Sequence, residues 1–285
     1  MPSLIDLRRR IRSVRSTQQV TKAMKMVSAA KLRRAQERVL AARPYAAMYR
    51  RVLAGLAAAA AGEESLGGHP LLARRPEQRL LLILVTSDRG LAGAFNTNLI
   101  KAAQQFLRQH AGREVQLVTA GRKGRDFFRK RGAAIVAEHI GISQRVEYAG
   151  AASLAREVAA RFERAEVDAV YLLYHEFKSL LAGRLTIARM LPVELPPQGS
   201  VVDYIYEQPP AELLRGLLPR YVEIAVYQAM LESVAAEHAA RMTAMDQATS
   251  NAGDMIASLT LYMNRVRQAS ITNDLIEVVS GARAL

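Results

Sequence analysis

Apolar and small residues recur at alternating three- and four-residue steps through the first fifth of the chain. The stripe runs through Leu4, Leu7, Ile11, Val14, Gln18, Thr21, Lys25, Ser28, Leu32, Ala35, Val39, Ala42, Ala46, Tyr49, Leu53 and Leu56. That period keeps one face turned to a partner helix for about eight heptads and predicts a helix about 80 Å long. Ser3-x-x-Asp6 reads as a capping box at its start. Pro44 lies off the stripe, so a bend there leaves the partner face continuous. The pattern fades by Gly62, and Gly67-Gly68 with Pro70 marks a loop. No compact domain of this size needs such a rod, which points to the rod itself as the functional element.

Beyond the loop the period changes. Leu80 to Val85 is an unbroken apolar run, as expected of a strand buried on both faces. Val115–Thr119, Ala134–Ala137 and Asp168–Tyr174 are similar, with helical stretches near 94–110, 122–131 and 150–164 between them. Alternating strands and helices predict a parallel, Rossmann-like α/β sheet. A further strand near 184–191 follows with no room for a crossover helix, so an antiparallel edge strand is expected there.

The tail opens at Pro209-Pro210, and Pro219 is placed to restart a helix as its first residue. A second stripe then runs through Leu231, Ala235, His238, Met242, Met245, Thr249, Ala252, Ile256, Leu259, Met263 and Val266. Near Ser270 it slips by one residue to Ile271, Leu275, Val278 and Ala282, read as a local change of supercoil phase. Two complementary stripes at opposite ends of one chain pair only if the chain doubles back. The expected fold is a long antiparallel N-/C-terminal coiled coil with an inserted α/β domain. The expected division is 1–62, 63–208 and 209–285.

Gln18, Thr21, Lys25 and Ser28 interrupt the first stripe with polar groups, which cost stability when buried without partners. They set register within the coil, or they face something other than the partner helix. Val20, Met24 and Val27 form a second apolar stripe beside the first. A helix with two apolar faces needs two neighbours, so an outer sleeve of protein around the coil is expected; the alternative is a local shift of phase.

Charge sharpens this picture. The 285-residue chain has a formal net charge of +14 and no cysteine. Residues 1–58 hold 14 Lys/Arg against Asp6 and Glu37, a balance of +12, whereas residues 208–285 come to −2. So one-sided a stripe implies an acidic partner: nucleic acid, anionic lipid or acidic protein loops. Without cysteine there are no disulfides, thiol nucleophiles or thiolate metal sites. The basic N-terminus has no apolar core of a signal peptide, and no apolar run is long enough to span a bilayer.

Enzyme chemistry finds little purchase. Gly90-Leu-Ala-Gly93 follows a strand and precedes a helix, but it lacks the dinucleotide spacing and a Walker A lysine. Gly121-Arg-Lys-Gly124 is a basic turn of the kind that holds phosphate. Asp88, at a strand end, is the best placed carboxylate, yet no second group is spaced for acid–base or metal work. The five histidines are scattered, and His238 falls on the second stripe as a packed or paired coil residue.

Three blocks resemble the gamma subunits of F-type (bacterial) ATP synthases. They are Thr17-Gln-Gln-Val-Thr-Lys-Ala-Met24 with Met26-Val-Ser-Ala-Ala-Lys31, Thr86-Ser-Asp-Arg-Gly-Leu-Ala-Gly-Ala-Phe-Asn96, and Asn264-Arg-Val-Arg-Gln-Ala-Ser-Ile-Thr272 with Ile276-Glu-Val-Val-Ser-Gly-Ala282. The likeness covers essentially the whole chain. It departs at Ala92-Gly93-Ala94, where the family often has Cys-Gly-Gly, and at Asn273-Asp274, where Gln-Glu is commoner. The resemblance implies a non-catalytic rotor shaft that couples proton flow through a membrane c-ring to ATP synthesis or hydrolysis. Its implied partners are the alpha and beta subunits of a hexamer, the epsilon subunit and the c-ring. It implies no cofactor and no metal. It implies a peripheral position on the cytoplasmic face of the bacterial cell membrane, without insertion into the bilayer. Lys22, Met24 and Lys25 are carried over as contacts with acidic beta-subunit loops, and Arg267, Gln268, Thr272 and Asp274 as a second set near the top of the shaft. Asp203-Tyr-Ile-Tyr-Glu207 resembles a segment near the base of the family's globular foot. The competing readings are a basic coiled-coil nucleic-acid-binding protein and a small-molecule enzyme housed in the α/β domain. Against the first, residues 4–44 carry no aromatic side chain on which bases could stack.

Overall fold

The computed structural model describes residues 3–59, 69–141, 146–179, 183–194 and 207–283. Helix α1 spans Leu4–Ala59 and α5 spans Pro210–Arg283. Between them lie β1 (Arg79–Val85), α2 (Phe95–Gln109), β2 (Glu114–Ala120), α3 (Arg122–Arg129), β3 (Ile135–His139), α4 (Tyr148–Glu163), β4 (Ala169–Phe177) and β5 (Gly183–Leu191). Contacts divide the chain into two compact units, one of Met1–Ala29 with Arg241–Leu285 and one of Ala30–Ala240. Both long helices run through the boundary without a break in their helical assignment.

In the first unit α1 and α5 pair antiparallel. Gln18 reaches the Thr249 carbonyl at 3.4 Å and Lys25 reaches Asp246 at 2.6 Å, so position rises on one helix as it falls on the other. Leu7, Ile11, Thr21 and Ser28 of the first stripe are buried, as are Met245 and Ala252 of the second. Half of the expected capping box is present: the Ser3 hydroxyl accepts from the Asp6 amide at 3.2 Å, and the Asp6 carboxylate accepts from that hydroxyl at 2.8 Å. It satisfies an amide that the helix start would otherwise leave unpaired.

The expected phase change near Ser270 does not occur as a packing event. Extrapolating the observed pairing places the first turn of α1 about level with Val266, so α1 ends where the slipped stripe begins. Ile271, Leu275 and Val278 are 51%, 60% and 69% exposed, and Ala282 is exposed too. A heptad slip needs a partner to slip against, and α1 supplies none there.

The second unit is built on a five-stranded sheet of order β3-β2-β1-β4-β5. Strands β1, β2, β3 and β4 pair in parallel, and β5 joins β4 antiparallel. Central β1 is covered on both faces, with Leu80 to Leu84 fully buried, which accounts for its unbroken apolar sequence. The expected edge strand is there because the chain between Phe177 and Gly183 is too short for a crossover. In this unit α1 buries Leu32, Val39, Ala46, Leu53 and Leu56, and α5 buries Leu214, Leu218, Val222, Val226 and Met230.

Pro219 does not start the last helix. Helix α5 begins at Pro210, with Glu212 in its first turn, and carries Pro219 in its interior. An interior proline removes the amide that would bond the carbonyl four residues earlier, that of Arg215. The His69 ring, whose Nδ1 accepts from the Leu71 amide at 3.1 Å, hydrogen-bonds the Arg215 backbone instead. The Tyr49 hydroxyl donates to the Leu217 carbonyl at 3.0 Å. The His69 bond answers the carbonyl that the proline leaves without a helical donor, and the Tyr49 bond anchors the same turn to α1. The Gly62 and Gly67-Gly68 loop, and positions 203–206 of the Asp203–Glu207 segment, lie outside the described residues.

Candidate partner-contact site

The polar interruptions of the first stripe form a connected patch within the coil. Thr21 is 9% exposed and Ser28 is 3% exposed. The Thr21 hydroxyl lies 3.0 Å from the Gln18 carbonyl and 2.8 Å from the Thr249 hydroxyl, which also lies 2.7 Å from the Met245 carbonyl. Gln18 packs beside Gly253, where a Cβ would come within 3.2 Å of its amide nitrogen. Directional bonds of this kind hold one register where apolar contacts alone tolerate slippage. Thr249 and Asp246 belong to this network although only Thr249 was legible as a stripe position; Asp246 sits just off it, and nothing in its local pattern marks it.

Lys22 is exposed and Met24 half-buried. Lys25 is half-buried, and its ammonium is engaged across the coil by Asp246, with the two side chains 41% and 59% exposed. An exposed pair of this kind is worth about 0–1 kcal/mol and yields to a competing carboxylate. Beside them Val20 and Val27 stand 54% and 55% exposed, so the second apolar stripe is left uncovered by the chain itself. Arg267, Gln268, Thr272 and Asp274 are all exposed on the stretch of α5 beyond the reach of α1. The Thr272 hydroxyl bonds back to the Gln268 carbonyl at 2.9 Å, a local helix contact that leaves its other lone pair outward. The structure therefore does not gather the seven residues into one cluster. It sets them at two levels of the same unit, about 30 Å apart along the helix axis.

In the sheet unit, the basic turn Gly121–Gly124 is filled from within. The first amides of α3 are met by the Asp88 carboxylate at Arg122 (3.0 Å), the Ser87 carbonyl at Lys123 (3.0 Å) and the Thr86 hydroxyl at Gly124 (2.9 Å). Asp88 also accepts from the Gly141 amide at 3.1 Å. The helix terminus that would bind an anion already holds the protein's own carboxylate. The best catalytic candidate of the sequence is thus a structural cap. His175 is buried and stacks on Phe95 at a ring separation of 4.8 Å, and desolvation pushes its pKa down, as for a neutral packing residue. His238 is half-buried on its stripe. Among the described residues no group of His, Asp and Glu is placed to hold a metal ion, and no helix is long and apolar enough to cross a membrane.

The chain's relatives match it end to end. The family model described as ATP synthase matches residues 3–285. The ATP synthase gamma chain of Solibacter usitatus is 62% identical over 284 residues, covering 100% of this chain and 99% of the relative. That of Anaeromyxobacter sp. (strain Fw109-5) is 51% identical over 290 residues, covering 100% of both. Among solved structures, a chain of the Euglena gracilis mitochondrial ATP synthase has a similar fold at 18% identity, with a TM-score of 0.69 over 99% of this chain and 94% of that one. A chain from the central stalk and c-ring of the Tetrahymena thermophila enzyme gives a TM-score of 0.63 at 24% identity, over 80% of this chain and 99% of that one. Two paired terminal helices, an inserted and mostly parallel sheet with a self-filled basic turn, and full-length likeness at these identities converge: the chain belongs to the family of ATP synthase gamma chains.

Proposed function

We propose that this chain is the central rotor shaft of an F-type ATP synthase. The paired helices stand within a hexamer of alternating alpha and beta subunits, and the sheet unit binds the epsilon subunit and the c-ring. Proton flow turns the ring, and the shaft forces each catalytic site through its states, so the chain exchanges binding energy between conformations and performs no chemistry. It works at the cytoplasmic face of the bacterial membrane, held there by its partners. For function the chain divides into the shaft segments 1–62 and 209–285 and the foot 63–208.

The observation that carries this reading is the uncovered surface of the coil. Two apolar stripes, Val20 with Val27 and Ile271 with Leu275 and Val278, face outward at about half exposure or more. Isolated apolar residues on a surface are unremarkable, but rows at helical spacing on a paired helix call for surrounding protein. Around them Lys22, Met24 and Lys25 at one level, and Arg267, Gln268, Thr272 and Asp274 at the other, offer polar and charged contacts to acidic beta-subunit loops. Screened pairs of this kind are individually weak, which suits a shaft that must pass from one loop to the next. Family membership leaves the nucleic-acid alternative without support.

Mixing the purified chain with alpha and beta subunits tests the reading. The chain alone should hydrolyse no ATP, and the mixture should recover hydrolysis coupled to rotation of a bead fixed to the chain. Failure to associate with the two subunits rejects it.

A further inference from the structure

Within the sheet unit the long helix α5 carries a run of small buried residues: Ala229, Ala235, Ala236 and Ala239. Alanines offer few knobs to stop a helix from rolling or sliding, and the larger buried residues in the same stretch, Val226 and Met230 among them, stabilise by apolar burial, which has no preferred direction. Packing is also incomplete there. A cavity of about 410 Å³ opens beside the helix, lined by Leu172, Tyr174, Met190, Ile224, Gln228 and Glu232 among others.

Directional contacts are made at two buried carboxylates. Glu232, whose side chain is 4% exposed, accepts from Arg43 Nε at 3.1 Å and Nη2 at 3.2 Å, and from the Phe177 amide at 2.8 Å. The same Arg43 Nη2 donates to the Phe177 carbonyl at 2.6 Å. One carboxylate thus joins α1, α5 and the end of β4. Glu223 accepts from the Tyr148 hydroxyl at 2.6 Å and from Arg156 Nε at 2.8 Å, both on α4. The Tyr148 ring meets Tyr227 of α5 edge-on, with centroids 5.6 Å apart. The two glutamates are separated by about two and a half helical turns, which places them on opposite faces of α5.

We propose that Glu223 and Glu232 are paired clasps that lock α5 to the sheet unit against rotation about its own axis, making them the positioning residues through which torque enters the shaft. A tether on one face alone lets a helix roll about that point; tethers on opposite faces resist rolling in both senses. The inference rests on the rotor reading above and adds to it the place where load crosses from the sheet to the long helices. It also assigns Arg43, the arginine that completes the Glu232 clasp, to the mechanism rather than to the basic stripe that meets acidic loops.

The test uses the complete enzyme. Gly112 has open space around its Cβ position, so Gly112→Cys gives this cysteine-free chain a single bead attachment point on the sheet unit. The bead is followed while the hexamer is held to a surface. In Glu223→Gln/Glu232→Gln, the angular spread of the bead during a pause should widen by about twofold or more, with each single variant already giving most of the effect, because one remaining tether lets the helix roll. Unloaded ATP hydrolysis should stay within about twofold of the parent, while hydrolysis-driven proton pumping should fall by about fivefold or more, because only pumping works against a load. The variant Arg43→Met/Glu232→Leu removes both charges together, so it leaves no unpaired buried charge and should lose less thermal stability than Arg43→Met alone. It should still widen the spread, which a merely structural role of the pair would not. An unchanged spread and unchanged pumping in both assembled variants overturns the clasps and leaves the rotor reading intact. Failure of the parent chain to join alpha and beta subunits overturns the rotor reading itself.

Discussion

Gly121 shows how far a single residue is dictated by its neighbours. Its φ is +114°, and a Cβ there would lie 2.1 Å from the Thr86 carbonyl oxygen. Gly121→Ala should therefore destabilise the sheet unit by about 3 kcal/mol or more, measured by denaturant unfolding. In the sequence this glycine looked like part of a phosphate turn; its reason is the close approach of β1 to the start of α3. The same network turned Asp88 from a candidate acid into a cap, a change invisible to spacing because its partners are backbone amides 34 and 53 positions away. Tyr49, Tyr148 and Tyr174 are pushed up to about 12, first by burial and then by neighbouring tyrosine or carboxylate groups. A folded pKa above the ordinary value of 10.0 means that their neutral form is favoured in the native state. Their contribution to stability is intact below about pH 10 and is lost as pH rises from there through about 12. Circular dichroism during alkaline titration should show unfolding in that window, and Tyr174→Phe should make the loss shallower. At the shaft, Gln268→Leu removes an exposed polar contact while keeping helix propensity. It should lower ATPase turnover in the assembled complex without changing the melting of the isolated chain.

At the scale of elements, the two interior prolines were read with unequal success. Pro44 sits on the exposed side of α1, and the stripe runs past it with Val39 and Ala46 buried on either side, as its position off the stripe implied. Pro219 looked like a helix start because the sequence shows the missing amide but not the donor that compensates for it. The donor that serves the freed carbonyl of Arg215, His69, lies about 150 positions earlier in the chain. Ala252 is 8% exposed in the coil. Ala252→Pro should break α5 there at a cost of about 3 kcal/mol or more, and the loss of helical ellipticity should accompany failure to restore ATPase in reassembly. The strands were easier to read. Leu80–Val85 had to be a central strand because only a strand covered on both faces is apolar at every position, and β1 has that place in the sheet.

Over the whole molecule, on the rotor reading proposed above, charge is the property that sets how the chain meets its partners. A balance of +12 on residues 1–58 against −2 on residues 208–285 is far from even. Long-range attraction by this stripe should speed association with the acidic surfaces of the hexamer and weaken with salt. The association rate of the chain with alpha and beta subunits should fall by about tenfold or more between 0.01 M and 0.15 M salt, read by stopped-flow fluorescence, whereas unfolding of the chain should change little.

By itself the sequence determined the elements. The three-and-four stripe, the solid apolar runs and the short gap before β5 each answer to local periodicity, and each side chain's direction follows from the helix or strand that carries it. The inward face of α1 was readable from the stripe between Leu7 and Leu56, whereas its polar interruptions fitted two readings. Tertiary structure alone decided which distant groups meet. Lys25 finding Asp246, Asp88 capping α3, His69 serving the carbonyl behind Pro219, and α5 running on past the end of α1 all depend on register and strand order. Those are set by packing between segments far apart in the chain, where no local period carries the information.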